Sequence, residues 1–408
     1  MAVPSLDDLL RRPDAVRGKR VFVRADLNVP LQDGVVGDET RIRATLPTLR
    51  RLLDAGARVV VASHLGRPKG KVDPKASLAP VAKRLGVRLG QPVAFASDCI
   101  GDAAEAAVAA LGDGELLLLE NLRFHAEEEK NDPRFAAALA QFADVYVNDA
   151  FGTAHRAHAS TVGMVAHVPD VAAGDLLRSE LEHLRRVLEP ERPFLCLLGG
   201  AKVSDKLSVV TVMAERADVL CIGGAMAYTF LHAKGQPIGA SRVEADQLDV
   251  AQRVLAAAES SGHRLLLPID HVIAETLEAG VASRVVREIP DGWMGLDIGP
   301  ETAAAYAAEA KQARTIFWNG PMGVFEIAAF AAGTEAVAHA VAESDAHSVV
   351  GGGDSLAAVN ALGLGARITH LSTGGGASLE FVEGRTLPGV AALEEHAAAH
   401  GHGEQETR

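Results

Sequence analysis

Arginine and histidine recur in the first half of this chain just after short apolar runs, usually beside an aspartate or asparagine. The segments are Arg24-Ala25-Asp26-Leu27-Asn28, Ser63-His64-Leu65-Gly66-Arg67, Glu120-Asn121-Leu122-Arg123 and Asn148-Asp149 running on to His155-Arg156-Ala157-His158. Arg41 follows the first of them closely. The planar guanidinium fork gives two parallel charge-assisted bonds to a phosphate or carboxylate, and a neighbouring Asp or Asn can aim it. A single arginine in such a place is more often a solvated surface group. Four repeats of the pattern point to a site for a small anion. His64 stands in a tight His-Leu-Gly-Arg-Pro turn and favours a functional reading, whereas His155 and His158 divide evenly between structural and functional roles.

The second half offers different chemistry at the same kind of place. Its apolar runs end in Gly199-Gly200, Gly223-Gly224, Gly351-Gly352-Gly353 and Gly374-Gly375-Gly376, and no Gly-Gly pair occurs before residue 199. Glycine lets backbone approach a ligand closely, and helix-opening N–H groups favour phosphate. One such pair is usually only a tight turn. Four clusters, with Lys202 after the first, read as a polyphosphate cradle. The sequence holds no G-x-x-x-x-G-K-[ST] and no G-x-G-x-x-G, so neither a P-loop nor a dinucleotide or protein-kinase loop is expected.

Elements must place these groups. The first-half runs are Arg20–Leu27, Arg58–His64, Val93–Ser97, Glu115–Glu120 and Asp144–Asp149; the second-half runs are Phe194–Leu198, Asp218–Ile222, Arg264–Ile269, Thr315–Trp318, His347–Val350 and Ile368–Ser372. They are continuous rather than alternating, as in strands covered on both faces, and helical stretches separate them. The expected class is α/β, with parallel sheets between helix layers. In such sheets ligands bind beyond the carboxyl ends of the strands. A long amphipathic stretch, Asp175–Leu188, is bounded by Gly174 and by Pro190 and Pro193, and predicts a helix between two domains.

Composition limits the partners. The net charge of −13 makes nucleic acid a poor one, so an anion must be met by a local cation cluster. No apolar run is long enough to span a membrane. The N-terminal residues lack a signal-peptide layout. Cys99, Cys196 and Cys221 stand apart in or beside apolar runs, as buried thiols of a reducing compartment do. A cytoplasmic protein is expected.

In order and spacing, the motifs from Val23–Pro30 through Ser63–Pro68, Asp149–His158, Gly199–Lys206, Trp318–Glu326 and Gly351–Ser355 to Ser372–Leu379 resemble the phosphoglycerate kinases over about residues 5–393. The resemblance implies two Rossmann-like three-layer domains joined by an interdomain helix and hinge, usually as a monomer. Residues 1–173 would bind 3-phosphoglycerate, 174–189 would be the helix, and 190–386 would bind ATP or ADP with Mg²⁺. Residues 387–393 would return to the first domain, and 394–408 would form a mobile tail. Carried over by motif, Asp26, Asn28, Arg41, His64, Arg67, Arg123 and Arg156 go to the acid. Lys202, Lys206, Gly295, Asn319, Glu326 and Gly352, Gly353, Asp354 and Ser355 go to the nucleotide, with Asp354 nearest the metal. Arg41 and Lys202, with Gly375 and Gly376, would act on the moving phosphoryl group. Domain closure without a general base is the implied mechanism. Tyr228, standing where Asn is commoner, is expected to alter nucleotide packing slightly. A dehydrogenase is disfavoured by the missing G-x-G-x-x-G, and a non-catalytic nucleotide sensor of the same fold is the other alternative.

Overall fold

The structure is a computed structural model that describes residues 3–400. Its chain divides into two units, one made of residues up to Leu181 together with those from Thr386 on, the other of Glu182–Arg385.

The first unit contains strands β1 (Arg20–Ala25), β2 (Arg58–Ala62), β3 (Val93–Phe95), β4 (Leu116–Leu118), β5 (Val145–Asp149) and β6 (Asp170–Ala173). They form one parallel sheet in the order β3-β4-β2-β1-β5-β6. Val21, Phe22 and Val23 of β1 and Val59, Val60 and Val61 of β2 are all buried, which explains why these runs do not alternate. From β1 the chain moves to β2 on one side and returns later to β5 on the other. The carboxyl ends of β1, β2 and β5 therefore surround a topological switch point, the usual ligand crevice of such sheets. Strand β6 was not among the expected runs. Its four residues lie between Pro169 and Gly174 and read as a boundary, but pairing of Val145 through Asn148 with Asp170 through Ala173 makes them a strand.

The second unit has β7 (Phe194–Leu198), β8 (Val219–Ile222), β9 (Arg264–Leu266), β10 (His271–Ala274), β11 (Arg284–Val286), β12 (Met294–Ile298), β13 (Thr315–Asn319), β14 (His347–Gly351) and β15 (His370–Leu371). The main sheet is parallel, in the order β9-β8-β7-β13-β14-β15, and its switch point falls between β7 and β13. Buried Trp318, Tyr306, Ile316 and Met322 belong to its core. A separate antiparallel sheet, β11-β10-β12, was not expected. Its strands are short, and β11 is largely exposed, so the sequence carries little apolar signal there.

A helix covers Asp175–Leu188. The last helix, Pro388–Ala399, packs on the first unit, where Gly389 N donates to Ala154 O at 2.9 Å. The expectation of a tail from Glu394 needs correction. The helix continues to Ala399, His396 and Ala397 are buried, and His396 Nε2 lies 2.8 Å from Val168 O. The alanine-rich sequence there shows weak polarity contrast, which hides its buried face. The remainder of the expected tail, residues 401–408, lies outside the described residues.

Candidate functional site

The carboxyl edge of the first sheet is built from the ends of β1, β2, β4 and β5. Asp26, just past β1, pairs with Nη1 of Arg41, the second residue of helix Thr40–Asp54. That helix is set by Asp38, which accepts from Thr40 N at 2.8 Å, and by a buried stripe including Ile42, Leu46, Leu49 and Leu52. Asn28 Oδ1 accepts from Gly66 N at 2.9 Å and ties the loop after β1 to the turn after β2. Asn121 ties that turn to the next loop, with Nδ2 donating to Leu65 O at 2.7 Å and Oδ1 accepting from Arg123 N at 3.0 Å.

Arg123 is 3% exposed, yet it is not saturated. Its Nη1 donates to Gly66 O at 2.9 Å, and Nε lies 3.2 Å from Glu129 Oε1, short of good hydrogen-bond geometry. Its buried Nη2 has no hydrogen-bond partner among the described residues. A buried guanidinium with a spare N–H is costly unless an anion completes it. Arg156 is half-buried, and its Nε donates to His155 Nε2 at 3.2 Å. Arg67 is exposed and makes no hydrogen bond or ion pair among the described residues.

His64 is buried, with Nδ1 4.0 Å from Asp26 Oδ1 and 3.4 Å from Arg24 Nη2. Burial holds it well below the usual imidazole range, and Arg24, Arg123, Arg41 and Arg156 push the same way. His158 is likewise pushed down to about 3, first by burial. These rings are neutral at pH 7. The arginines carry the positive charge, and the histidines can only donate or accept hydrogen bonds.

At this edge the sequence reading took Arg24 only as part of the first strand-end segment, and did not single out Ser160 or Glu128. Arg24 is fully buried, and its Nε donates to Ser160 Oγ at 2.7 Å. Ser160 in turn donates from Oγ to Glu128 Oε1 at 2.6 Å. An arginine inside the apolar run Arg20–Leu27 was the available signal for the first. Glu128, inside Glu127-Glu128-Glu129, looks like part of a solvated run.

In the second unit, residues following β7, β8 and β13 line a cleft of ≈ 300 Å³. Gly200, Gly224, Pro321 and Asp354 form one part of the lining, and Leu277, Met294, Leu296 and Val324 supply apolar surface. Gly295 and Glu326 also line it. The apolar wall comes from the antiparallel sheet and its loops, which is why the sequence reading missed it. Tyr228 is buried beneath Gly295, so close that a Cβ at 295 would fall 2.0 Å from its hydroxyl. It thus supports the cleft floor.

Lys206, not Lys202, is the half-buried lysine here. Its Nζ donates to Gly199 O at 2.5 Å and Asn319 O at 2.8 Å, holding together the ends of β7 and β13. Burial lowers it to about 8, against opposing attraction from Asp354. Lys202 is exposed on the loop before it, a loop clipped by Glu244, which accepts from Ser204 N at 3.1 Å. Lys202 does not line the cleft and makes no hydrogen bond or ion pair among the described residues. Asn319 is buried and its Nδ2 lacks a partner among the described residues. Ser355 Oγ accepts from Gly320 N at 2.6 Å. Gly352 precedes helix Gly353–Ala361, whose first turn carries the exposed Asp354. Gly375 precedes the shorter helix Gly376–Val382, where Ser378 Oγ donates to Gly375 O at 2.7 Å. Two exposed carboxylates, Asp354 and Glu326, line the cleft, and so sparse a set suits Mg²⁺, which is held through few carboxylates plus phosphate oxygens and keeps several waters.

Residues 10–385 match the family described as phosphoglycerate kinase. The chain is similar to the phosphoglycerate kinase of Moorella thermoacetica, 58% identical over 398 residues, with 97% of this chain and 100% of that protein covered. It is 58% identical to that of Rubrobacter xylanophilus over 383 residues, covering 93% and 96%. Its fold is similar to the solved phosphoglycerate kinase of Coxiella burnetii, with a TM-score of 0.87 and 41% identity over 97% of this chain and 100% of that one.

Proposed function

Because this chain belongs to the phosphoglycerate kinase family, we propose that the arginine-lined edge of its first sheet holds 3-phosphoglycerate and that the glycine-lined cleft of its second unit holds the nucleotide. The reaction is reversible transfer of the γ-phosphoryl group of ATP to the carboxylate of 3-phosphoglycerate, giving ADP and 1,3-bisphosphoglycerate. The observation that carries the division of roles is Arg123, buried with an unsatisfied N–H beside neutral His64 and within a group of arginines.

The chemistry follows from charge. A carboxylate oxygen attacks phosphorus while the bond from phosphorus to the bridging oxygen of ADP breaks, and ADP leaves with that electron pair. The nucleophile is already ionised at pH 7, so no proton need be removed. Positioning and neutralisation of the transferring group remain as the protein's tasks. Asp26, Asn28, His64, Arg67, Arg123 and Arg156 orient the acid. Arg41 and Lys202, with the N–H groups at Gly375 and Gly376, face the moving phosphoryl group. Lys206, Gly295, Asn319, Glu326, Gly352, Gly353 and Ser355 hold the nucleotide, and Asp354 would hold Mg²⁺, which neutralises phosphate charge when bound. Acid and nucleotide must meet for transfer, and excluding water as they do so protects ATP from hydrolysis.

The proposed setting is a cytoplasmic monomer. All three cysteines are free and buried, which fits a reducing compartment, and no helix among the described residues is long and apolar enough to cross a membrane. The sensor alternative has no support, since the groups the reaction needs are all present.

Lys206 gives the nucleotide half-site a pH dependence of definite sign. Its folded pKa of about 8 lies below the ordinary value, so the ammonium is lost as pH rises through that value. ADP affinity, measured by calorimetry from pH 7 to 9.5, is expected to fall by at most about tenfold per unit above pH 8. The empty unit, by contrast, gains stability over the same rise, because the unfolded chain then binds the extra proton. Constant ADP affinity across that range would remove Lys206 from the phosphate site.

Phosphorus NMR tests the reaction itself. The chain with ATP, Mg²⁺ and 3-phosphoglycerate should form ADP and an acyl phosphate together. ATP loss at the same rate without phosphoglycerate would contradict the reading.

A further inference from the structure

The Arg123 and Arg156 segments are far apart in sequence, and one side chain joins them. Glu128 lies in the short helix Ala126–Glu129, directly after the Leu122–Phe124 turn that carries Arg123. It is fully buried. Its Oε2 accepts from Ser160 N at 3.0 Å and its Oε1 accepts from Ser160 Oγ at 2.6 Å. Its backbone carbonyl accepts from Ala159 N at 3.0 Å. His158 Nδ1 stands 3.9 Å from Oε1. Residues 158–160 are thereby fastened to the Arg123 segment just downstream of Arg156.

The same serine hydroxyl connects Glu128 to Arg24. Arg24 Nε donates to Ser160 Oγ at 2.7 Å, Nη1 donates to Ala25 O at 2.5 Å, and Nη2 reaches His64 Nδ1 at 3.4 Å. Glu128, Ser160 and Arg24 are all 0% exposed, so this is a buried carboxylate and a buried guanidinium bridged by one hydroxyl. Buried charges of this kind persist only when paired and fully hydrogen-bonded. Burial pushes the Glu128 carboxyl up, while Arg24 and the two Ser160 bonds oppose that rise.

We propose that Glu128 is a positioning residue for the acid-binding edge. It holds the segments of Arg123 and Arg156 in mutual register and, through Ser160, fixes Arg24 against His64. It touches no reacting atom. The inference rests on the assignment of this edge to 3-phosphoglycerate. Its effect is therefore confined to that substrate, because the nucleotide groups lie on the other unit.

Initial-rate kinetics on the full chain carrying Glu128→Ala, Glu128→Gln or Ser160→Ala test it, at a temperature where each variant is folded by circular dichroism. Glu128→Ala is expected to raise the KM for 3-phosphoglycerate by about tenfold or more, as small displacements of substrate-orienting groups do, with the KM for ATP unchanged. Glu128→Gln, which keeps one acceptor for the Ser160 N–H, is expected to recover part of the loss. A general loss of stability would not separate the two KM values. An unchanged KM for phosphoglycerate, or an equal rise in both, overturns the inference. Should Glu128→Ala fail to fold, Ser160→Ala decides, since it removes only the bridging hydroxyl, and a folded Ser160→Ala with the original KM is equally fatal. If the assignment of the edge itself were wrong, Arg123→Ala would also leave that KM untouched, which separates the two failures.

Discussion

Replacing Arg41 by alanine is expected to lower turnover by about 10²–10³-fold, the usual cost of removing one preorganised group from a developing charge. The fold should survive. Arg41 is only partly buried, and the helix it opens is held by its apolar stripe and by Asp38 rather than by the arginine. What is lost is the cation paired with Asp26, itself buried at the end of β1. Asp26 then stands uncompensated beside the incoming carboxylate, so the KM for phosphoglycerate should rise as well. Arg41→Lys should fall between, because it keeps the charge and loses the fork. Near-normal turnover in a folded Arg41→Ala, measured by a coupled assay of ADP formation, would remove Arg41 from the transfer step.

Gly320→Ala should be as damaging to the other half-site. Gly320 has a φ of +98°, which an L side chain rarely adopts, and a Cβ there would fall 2.1 Å from Gly199 O and 2.2 Å from Lys206 Nζ. Neither neighbour can yield easily. Gly199 is backbone, and Lys206 is fixed between two carbonyls. The loop around Gly320 is also pinned by Ser355 Oγ and by Trp318 Nε1, which donates to Gly320 O at 2.8 Å. Strain at such a residue costs on the order of 1–3 kcal/mol before any clash is counted. Relief must move the ends of β7 and β13 apart and disturb the cleft between them. ADP affinity, measured by calorimetry, is expected to fall about a hundredfold, equal to about 2.8 kcal/mol. Retention of tight ADP binding would show that the cradle does not depend on this approach.

How much of this was legible in the sequence depends on whether the signal was local. Strands buried on both faces announce themselves by continuous apolar runs, and the helix Asp175–Leu188 is marked by its amphipathic period and flanking Gly and Pro. His64 and Arg123 stood out because each follows such a run, and Arg41 because it comes soon after the first of those loops. Strand β6 and the antiparallel sheet β11-β10-β12 were missed because four-residue and partly exposed strands carry too little pattern. The apolar wall of the cleft was lost with that sheet. Glu128 was hidden for a different reason. Nothing in three consecutive glutamates tells which one turns inward, and only packing against Ser160 and Arg24 decides it. Lys202 and Lys206 looked alike as lysines after Gly-Gly, yet one is exposed on a loop and the other is half-buried with its ammonium bonded to two strand ends.

The central claim is a division of labour, in which side-chain forks on one unit take the acid and backbone on the other takes the nucleotide. Titration of 3-phosphoglycerate and of ADP with Mg²⁺, each alone, into the unaltered chain, Arg41→Ala and Gly320→Ala tests it most directly. The account predicts a crossed result, with Arg41→Ala weakening only the acid and Gly320→Ala only the nucleotide. Loss of ADP binding in Arg41→Ala, or of phosphoglycerate binding in a folded Gly320→Ala, would contradict it.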